Sequence, residues 1–493
     1  MNYMDTFPPN SRDKSRLADY EQYQKIFLGE HYDIFGHLSK DLKKDYKALQ
    51  YLTANFGGLI SRLSADMLFE EFPTITLPKG DMDFFSEMMD ENHLGMQIYE
   101  SGLEQSYNGD VIFRMRADNG NLVIEDINPA FWFPEINEGN VRAEPTAHRL
   151  AWKVKVNIDS KVVDALFVER HTKGKIEYKL YQMEGEKIVG ELDVASYMTG
   201  KDGNPLQPEV ETKVDDFLIV HIPNYRINTR YFGISDYKDL LSLIFAINKR
   251  LTNIDIILDK HGEPILAVPQ GVLDDSGKIP SKKFGMIEIV SGQGGEAQKP
   301  EYIVWDAKLE SAFSQIEKMV EFLMMFSDTN PAILGLDTGG VAESGRALKY
   351  RLLRTLAKKH RKELYYDIGL KRLFYTAQKF AKANNLKCGG KTMQGEAVKP
   401  LIQWQDGIIN DALETLEYEE RRLEAGLTTK VDAIATLDSI KIEEAEDKLK
   451  KINKEKEEMA PKFTANPLFV KNGKDNTGAQ DDKTTGKDNK NNA

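Results

Sequence analysis

The stretch Gly233–Lys260, GISDYKDLLSLIFAINKRLTNIDIILDK, decides how the rest of the chain is read. Tyr237, Leu240, Leu241, Ile244, Ile247, Leu251, Ile254 and Leu258 recur every three or four positions, which lays a single apolar stripe along a helix. Ser235 offers a capping hydroxyl ahead of the stripe, so the pattern predicts a helix of roughly 25 residues that stops at KHGEP, Lys260–Pro264. Downstream, the short β-like pieces ILAV and MIEIV are separated by glycine-rich turns. A second helix pattern then begins near Asp306, with Leu309, Phe313, Ile316, Val320, Leu323 and Phe326 on one face. Two amphipathic helices thus bracket a small β insertion. That rod with a small head cannot bury both faces as a monomer, whereas a closed ring of identical heterologous contacts would cover them.

The next stretch, Asn330–Lys362, NPAILGLDTGGVAESGRALKYRLLRTLAKKHRK, runs from a proline turn through a glycine-rich loop into a basic helix pattern that continues to Asn384. Asp337-Thr338-Gly339 and the upstream Asp275-Ser276-Gly277 resemble the tripeptide of aspartic peptidases. That chemistry needs two close aspartates on tight turns that close β-hairpins, sharing one proton. Here Asp275 lies in a hydrophilic loop and Asp337 between two helices, so the peptidase is the lesser alternative. A phosphate loop would need Lys and Ser or Thr after its second glycine, and GLDTGGV lacks both. From Arg346 to Lys362 there are eight Arg or Lys residues and no acid. Salt bridges to acidic neighbours or a solvated face is the first reading, and contact with a polyanion the second.

Upstream, DVIFRMRADNGNLVIEDI alternates on both sides of Asn119-Gly120, a two-residue hairpin turn. RLAWKVKVNI, VDALFVERHT, KIEYKLYQME and KIVGELDV continue an antiparallel meander to about Val194. The first hundred residues, with SRLADYEQYQKIFLGEHY and YKALQYLTANFGGLISRLSADMLF, read as helices. Downstream come an isolated strand, PLIQWQ, and helical DALETLEYEERRLEAG, with Gly426 as its C-terminal cap. Helical patterns reach Met459, and the polar last residues, 460–493, cannot order themselves. The fold class is α+β.

The totals fit. At 493 residues the chain has room for about three domains of roughly 150 residues each, and its 41% apolar content fills a sizeable core. The opening MNYMDTFPPN carries no leader pattern, and the longest apolar run, LLSLIFAI, falls far short of the ~18 residues a membrane span needs. The expectation is a soluble, unsecreted protein without membrane contact. A single cysteine, Cys388 in the loop-like LKCGGK, excludes an intrachain disulfide framework and reads as an incidental thiol. Eight histidines show no short metal-ligand spacing, so His261 reads as structural or solvated, and neither a metal nor a cofactor is expected. A formal charge of −12 argues against nucleic-acid affinity spread over the whole surface.

Together these segments resemble the portal proteins of tailed bacteriophages, of the siphophage type. PNYRINTRYFGISDYKDLLSLIFAINKRL resembles that family's approach to its first stem helix, with Asn224, Gly233, Ser235-Asp236, Leu240 and Asn248 matching. NPAILGLDTGGVAESGRALKYRLLRTL resembles the tunnel loop and following helix, with Gly345, Ala347 and Leu348 matching; IQWQDGIINDALETLEYEERRLEAGLTTKVDAI resembles the return strand and later helices, with Gly426-Leu427 most recognisable. The resemblance spans about residues 15–445. It implies a portal fold with an α/β wing (1–232), stem helices (233–260 and 306–327), a small β-containing clip (261–305) and a tunnel loop (328–345). A long kinked helix and return strand (346–410), a helical crown (411–459) and a disordered tail (460–493) complete it.

By the same resemblance the protein is no enzyme but a ring, of twelve subunits in family members, at the capsid vertex of the virion, assembled in the host cytoplasm. Its implied partners are further copies of itself, the terminase large subunit, the head-tail connector or adaptor, the major capsid and scaffolding proteins, and double-stranded DNA. The DNA path would meet Asp337, Thr338, Gly339, Gly340, Glu343 and Ser344; Arg346, Lys349, Arg351, Arg354, Lys358 and Arg361 are candidates for contact with DNA or a neighbouring subunit. Stem packing would use Leu240, Ile244, Leu251, Ile316, Val320 and Leu323, and Lys282, Lys283 and Glu288 would dock terminase or connector. A nucleic-acid-binding ring outside a virion is the other alternative.

Overall fold

Asn119 and Gly120 adopt φ of 49° and 78°, the pair of left-handed residues that a type I′ turn demands. They join β2 (Asp110–Asp118) to β3 (Asn121–Ile127). The computed structural model describes residues 5–32, 34, 51–200, 203–262, 265–267, 301–303, 309–334, 350–405, 412–438, 440 and 442–459. Among these, the hairpin forms the centre of a five-stranded sheet with β10 (Ile219–Pro223), β13 (Lys387–Cys388) and β14 (Lys391–Thr392), in the order β10-β2-β3-β13-β14. The meander forms a second sheet from β4 (Trp132–Glu135), β5 (Ala147–Ile158), β6 (Lys161–Thr172), β7 (Lys175–Glu184) and β8 (Lys187–Leu192). Each neighbouring pair in it is antiparallel. A short strand at Glu209–Glu211 also pairs with β7.

Four helices precede or cover the first sheet: α1 (Ser11–Leu28), α2 (Phe56–Phe69), α3 (Met82–Glu91) and α4 (Leu94–Asn108). The pattern over YKALQYLTANFGG predicts an earlier start for α2, but the Asn55 side chain accepts the Gly58 N–H at 2.9 Å and caps the helix there. The sheet's other major cover is α7 (Leu353–Asn384). Between them Phe84, Phe85, Met88, Ile98, Phe113, Tyr366, Leu373 and Phe374 form the main core. Each such side chain contributes about 1.5–3 kcal/mol when removed from water. Cys388 lies in this core on a strand rather than in a loop, and burial pushes its thiol up to about 11. A thiol held protonated in this way is unreactive. The expected isolated strand is Leu401–Gln403, which pairs antiparallel with Thr74–Thr76.

The amphipathic pair forms as α5 (Leu241–Gly262) and α6 (Leu309–Phe326). Helix α5 starts five residues later than the cap at Ser235 predicts. The Ser235 hydroxyl is committed elsewhere: it donates to the Tyr107 carbonyl at 2.6 Å and accepts the Tyr237 N–H at 3.0 Å, closing a turn ahead of the helix. The stripe is right for Tyr237, Leu240, Ile244 and Ile247, all fully buried with Leu323 of α6. Leu258, Phe313 and Phe326 remain exposed on the subunit. Of the β insertion, Ile265–Ala267 and Glu301–Ile303 form an antiparallel ribbon, so ILAV finds its partner in EYI; MIEIV lies outside the described residues. Helical geometry at Tyr350 and Arg351 is interrupted at Leu352 before α7 begins.

Residues 410–493 form a second unit, in which α8 (Ala412–Glu424), α9 (Lys430–Asp438) and α10 (Ile442–Met459) are described. Gly426, at φ 68°, ends α8 with the Leu427 N–H bonded to the Arg422 carbonyl at 2.8 Å. Thr429 and Asp432 cap α9 reciprocally, the Thr429 Oγ1 accepting the Asp432 N–H at 3.1 Å.

One close approach fixes the junction between α4, β10 and α5. A Cβ on Gly233 would sit 1.8 Å from the Gly109 carbonyl oxygen, backbone that has no room to yield. Gly233→Ala is therefore expected to destabilise the chain by about 3 kcal/mol or more. Gly120→Ala meets open space and is expected to cost only about 1 kcal/mol through its positive φ. Denaturant midpoints of the two variants check the contrast.

Candidate functional site: the ion-paired root of the long helix

Lys358 and Lys362 are one helical turn apart on α7, so they share a face, and that face is turned inward. Both ammonium groups reach Asp236 Oδ2, at 3.0 and 3.1 Å, with all three side chains buried. Asp236 itself comes from the turn before α5. Its N–H donates to the Ser106 carbonyl at 2.9 Å, and its carboxylate also accepts from Ser106 Oγ at 2.9 Å and Asn224 Nδ2 at 2.7 Å. Burial alone would raise the Asp236 carboxyl, but Lys358, Lys362 and the Asn224 amide together hold it well below the usual carboxylate range. Burial pulls Lys362 down to about 8 against the opposing pull of Asp236.

A second acid joins the end of α6 to the start of α7. Asp328 follows α6 and accepts Arg354 at 2.7 Å and Arg361 at 3.2 Å. Beside it, the Asn330 N–H donates to Thr355 Oγ1 at 3.0 Å and Asn330 Nδ2 to the Arg351 carbonyl at 2.9 Å. The residues that follow α6 are thus tied to Arg351 and the first turns of α7. Lys359 is buried as well, paired with Glu363 at 2.5 Å and bonded to the Gln405 carbonyl. Among the described residues, the basic run is therefore spent largely on acidic and carbonyl partners in its own subunit.

A further buried carboxylate braces the same junction from the other side. Asp110 accepts Tyr20 Oη at 2.6 Å, His221 Nε2 at 2.6 Å and the Gly233 N–H at 2.7 Å. Burial would raise Asp110, yet His221, Tyr20 and Gly233 hold it below its ordinary value.

The six expected stem residues gather in one cluster: Leu240, Ile244 and Leu323 fully buried, Leu251, Ile316 and Val320 partly so. Lys358, expected as an outward contact for DNA or a neighbour, is instead turned inward, where it shares the buried Asp236 carboxylate with Lys362. Arg351 and Arg354 stay exposed, and Arg361 is half-buried. Asp337, Thr338, Gly339, Gly340, Glu343, Ser344, Arg346, Lys349, Lys282, Lys283, Glu288, Asp275 and the His261 side chain lie outside the described residues. Sequence reasoning assigned no role to Asp328 or Asp110. Asn224 and Asp236 stood out only as matching positions in NYRINTRYFGISD. Among the described residues no group of three or more His, Cys, Asp or Glu is placed to hold a metal ion, and no helix is long and apolar enough to cross a membrane.

The family described as "Phage portal protein, SPP1 Gp6-like" matches residues 10–462. No curated protein matches the chain. Among solved structures, a chain of "Virion of native gene transfer agent (GTA) particle" is 10% identical with a TM-score of 0.41, over 78% of this chain and 89% of that one. A chain of "Neck of native GTA particle computed with C12 symmetry" is also 10% identical at 0.41, over 77% and 87%.

The depressed Asp236 carboxyl sets a pH dependence. Its stabilisation is complete above the unfolded aspartate value of about 4 and is lost as pH falls through the lower folded value. Asp236→Asn leaves two buried lysines without their counter-charge and is expected to cost about 3–5 kcal/mol at pH 7. The gap between variant and parent should shrink below about pH 4, as the parent's own carboxyl protonates. Urea unfolding at stepped pH values measures both.

Proposed function

The chain belongs to the SPP1 Gp6-like family of phage portal proteins, and we propose that its ion-paired helix root holds the tunnel loop in place while DNA moves past it. As a member of that family it is a structural, non-catalytic subunit of the ring-shaped DNA conduit at the capsid portal vertex, in contact with capsid and connector components.

On this reading, residues up to about 232 with the return strand make the wing, α5 and α6 the stem, 261–305 the clip, 328–345 the tunnel loop and 411–459 the crown. Twelve copies close the ring. The clip docks the terminase motor through Lys282, Lys283 and Glu288 during packaging, and ATP hydrolysis belongs to the motor. The observation that carries the proposal is the closure of the loop at its base by Asp328 and Asn330, which bind residues on the far side of the loop. A loop so tied can bend at Gly335, Gly339, Gly340 and Gly345 without dragging its helices.

The charge economy favours sliding. Every strong phosphate contact in a conduit acts as a brake, and buried pairs remove Lys358, Lys359 and Lys362 from any DNA path. With a formal charge of −12, the chain presents DNA with more repulsion than grip.

Negative-stain imaging of the purified protein is expected to give rings with a central channel; a protein that stays monomeric under assembly conditions would overturn the ring. Asp337→Lys places one new cation per subunit on the loop, and rings should form normally while DNA passage slows and becomes more salt-dependent. Packaging at the parent rate and salt dependence would remove the loop from the DNA path.

A further inference from the structure

Among the described residues of the first unit, two exposed apolar faces stand out on its helices. On α7, Leu353, Ala357, Leu364 and Ile368 share one side of the helix, with Leu364 68% and Ile368 71% exposed. The stripe runs into an open cavity of about 270 Å³ lined by Tyr365, Ile368, His148, Arg142, Arg226 and Arg372. Arg372 pairs with Glu144, whereas Arg142 and Arg226 have no ion-pair partner among the described residues. On α6, Phe322, Met325 and Phe326 stand outward, Phe326 61% exposed and its ring 6.4 Å from that of Phe322. Glu321 borders Met325 and pairs with the exposed Lys318 at 2.7 Å, and Glu317, one turn before Glu321, has no ion-pair partner among the described residues.

The two faces are complementary. One is aliphatic and ends among arginines; the other is aromatic, with Glu317 and Glu321 along one edge and Lys318 paired to Glu321. Apolar side chains clustered in this way on a soluble subunit mark a contact surface. They lie on different elements, which suits a heterologous contact, in which each subunit offers two different patches and the repeat closes a ring. We propose that the aromatic ridge of α6 in one copy of this chain seats on the α7 stripe of the next, with Glu317 and Glu321 reaching the arginines at the cavity mouth. The inference rests on the ring reading above and adds which faces meet.

Paired cysteines test it in the full-length protein. Phe322→Cys and Leu364→Cys are made in separate chains, mixed before assembly and oxidised; buried Cys388 is common to both and to the parent control. A covalent dimer that requires both variants is the expected product. Dimers from Phe322→Cys alone would mean a two-fold contact and would overturn the proposal. In parallel, Leu364→Asp and Glu317→Lys with Glu321→Lys are checked for folding by circular dichroism, then imaged. Burying the new aspartate should raise the concentration needed for rings by at least about tenfold, and the double charge reversal should weaken rings further at low salt than at high. If the parent forms rings, and the folded variants form them equally well with no mixed crosslink, the faces assigned here are wrong while the conduit stands. If the parent forms no ring, the conduit itself fails.

Discussion

A carboxylate removed from water must be met by opposite charge or by hydrogen bonds, and Asp236 is removed almost entirely. That requirement organises the middle of the molecule. Two lysines from α7 turn inward to meet it, which sets the rotation of the helix about its axis. With that rotation set, Arg354 and Arg361 face Asp328, which ties the residues after α6 to the start of α7. The same carboxylate is held from below by Ser106 of α4 and Asn224 beyond β10. Helix α7, the sheet and the turn before α5 therefore meet at one charge. Asp110, held by Tyr20, His221 and the Gly233 N–H, braces the crossing from the opposite side.

The arrangement reconciles two demands that look opposed in the sequence. A run of eight cations with no acid between Arg346 and Lys362 repels itself and attracts DNA, whereas a conduit needs low friction. Burying Lys358, Lys359 and Lys362 in ion pairs answers both, because the charges are neutralised where they also anchor the helix. Among the described residues, Arg351 and Arg354 remain outward at the start of the helix, and Arg354 is itself paired.

The apolar side of the ledger is left open by one chain alone. The α5–α6 seam closes on itself, but the outer face of α6 and the stripe of α7 do not. A ring subunit is expected to carry such unfinished surface, since its core is completed by its neighbours.

Much of this was legible in the sequence wherever the signal is local. The Asn119-Gly120 turn needs two left-handed residues, and these two adopt that conformation most readily. Gly426 ends its helix for the same reason, and three-four spacing put Leu240, Ile244 and Leu323 in one seam. Each of these depends on residues within a turn or two of one another. The inward turn of Lys358, the late start of α5, the strand around Cys388 and the roles of Asp236 and Asp328 were not legible. They depend on which distant groups arrive beside them: Tyr107 takes the Ser235 hydroxyl, and Asp236 takes two lysines from far along the chain. Periodicity states that a residue is polar and on which face of its helix it lies. Only the tertiary structure decides whether that face meets water or a buried charge.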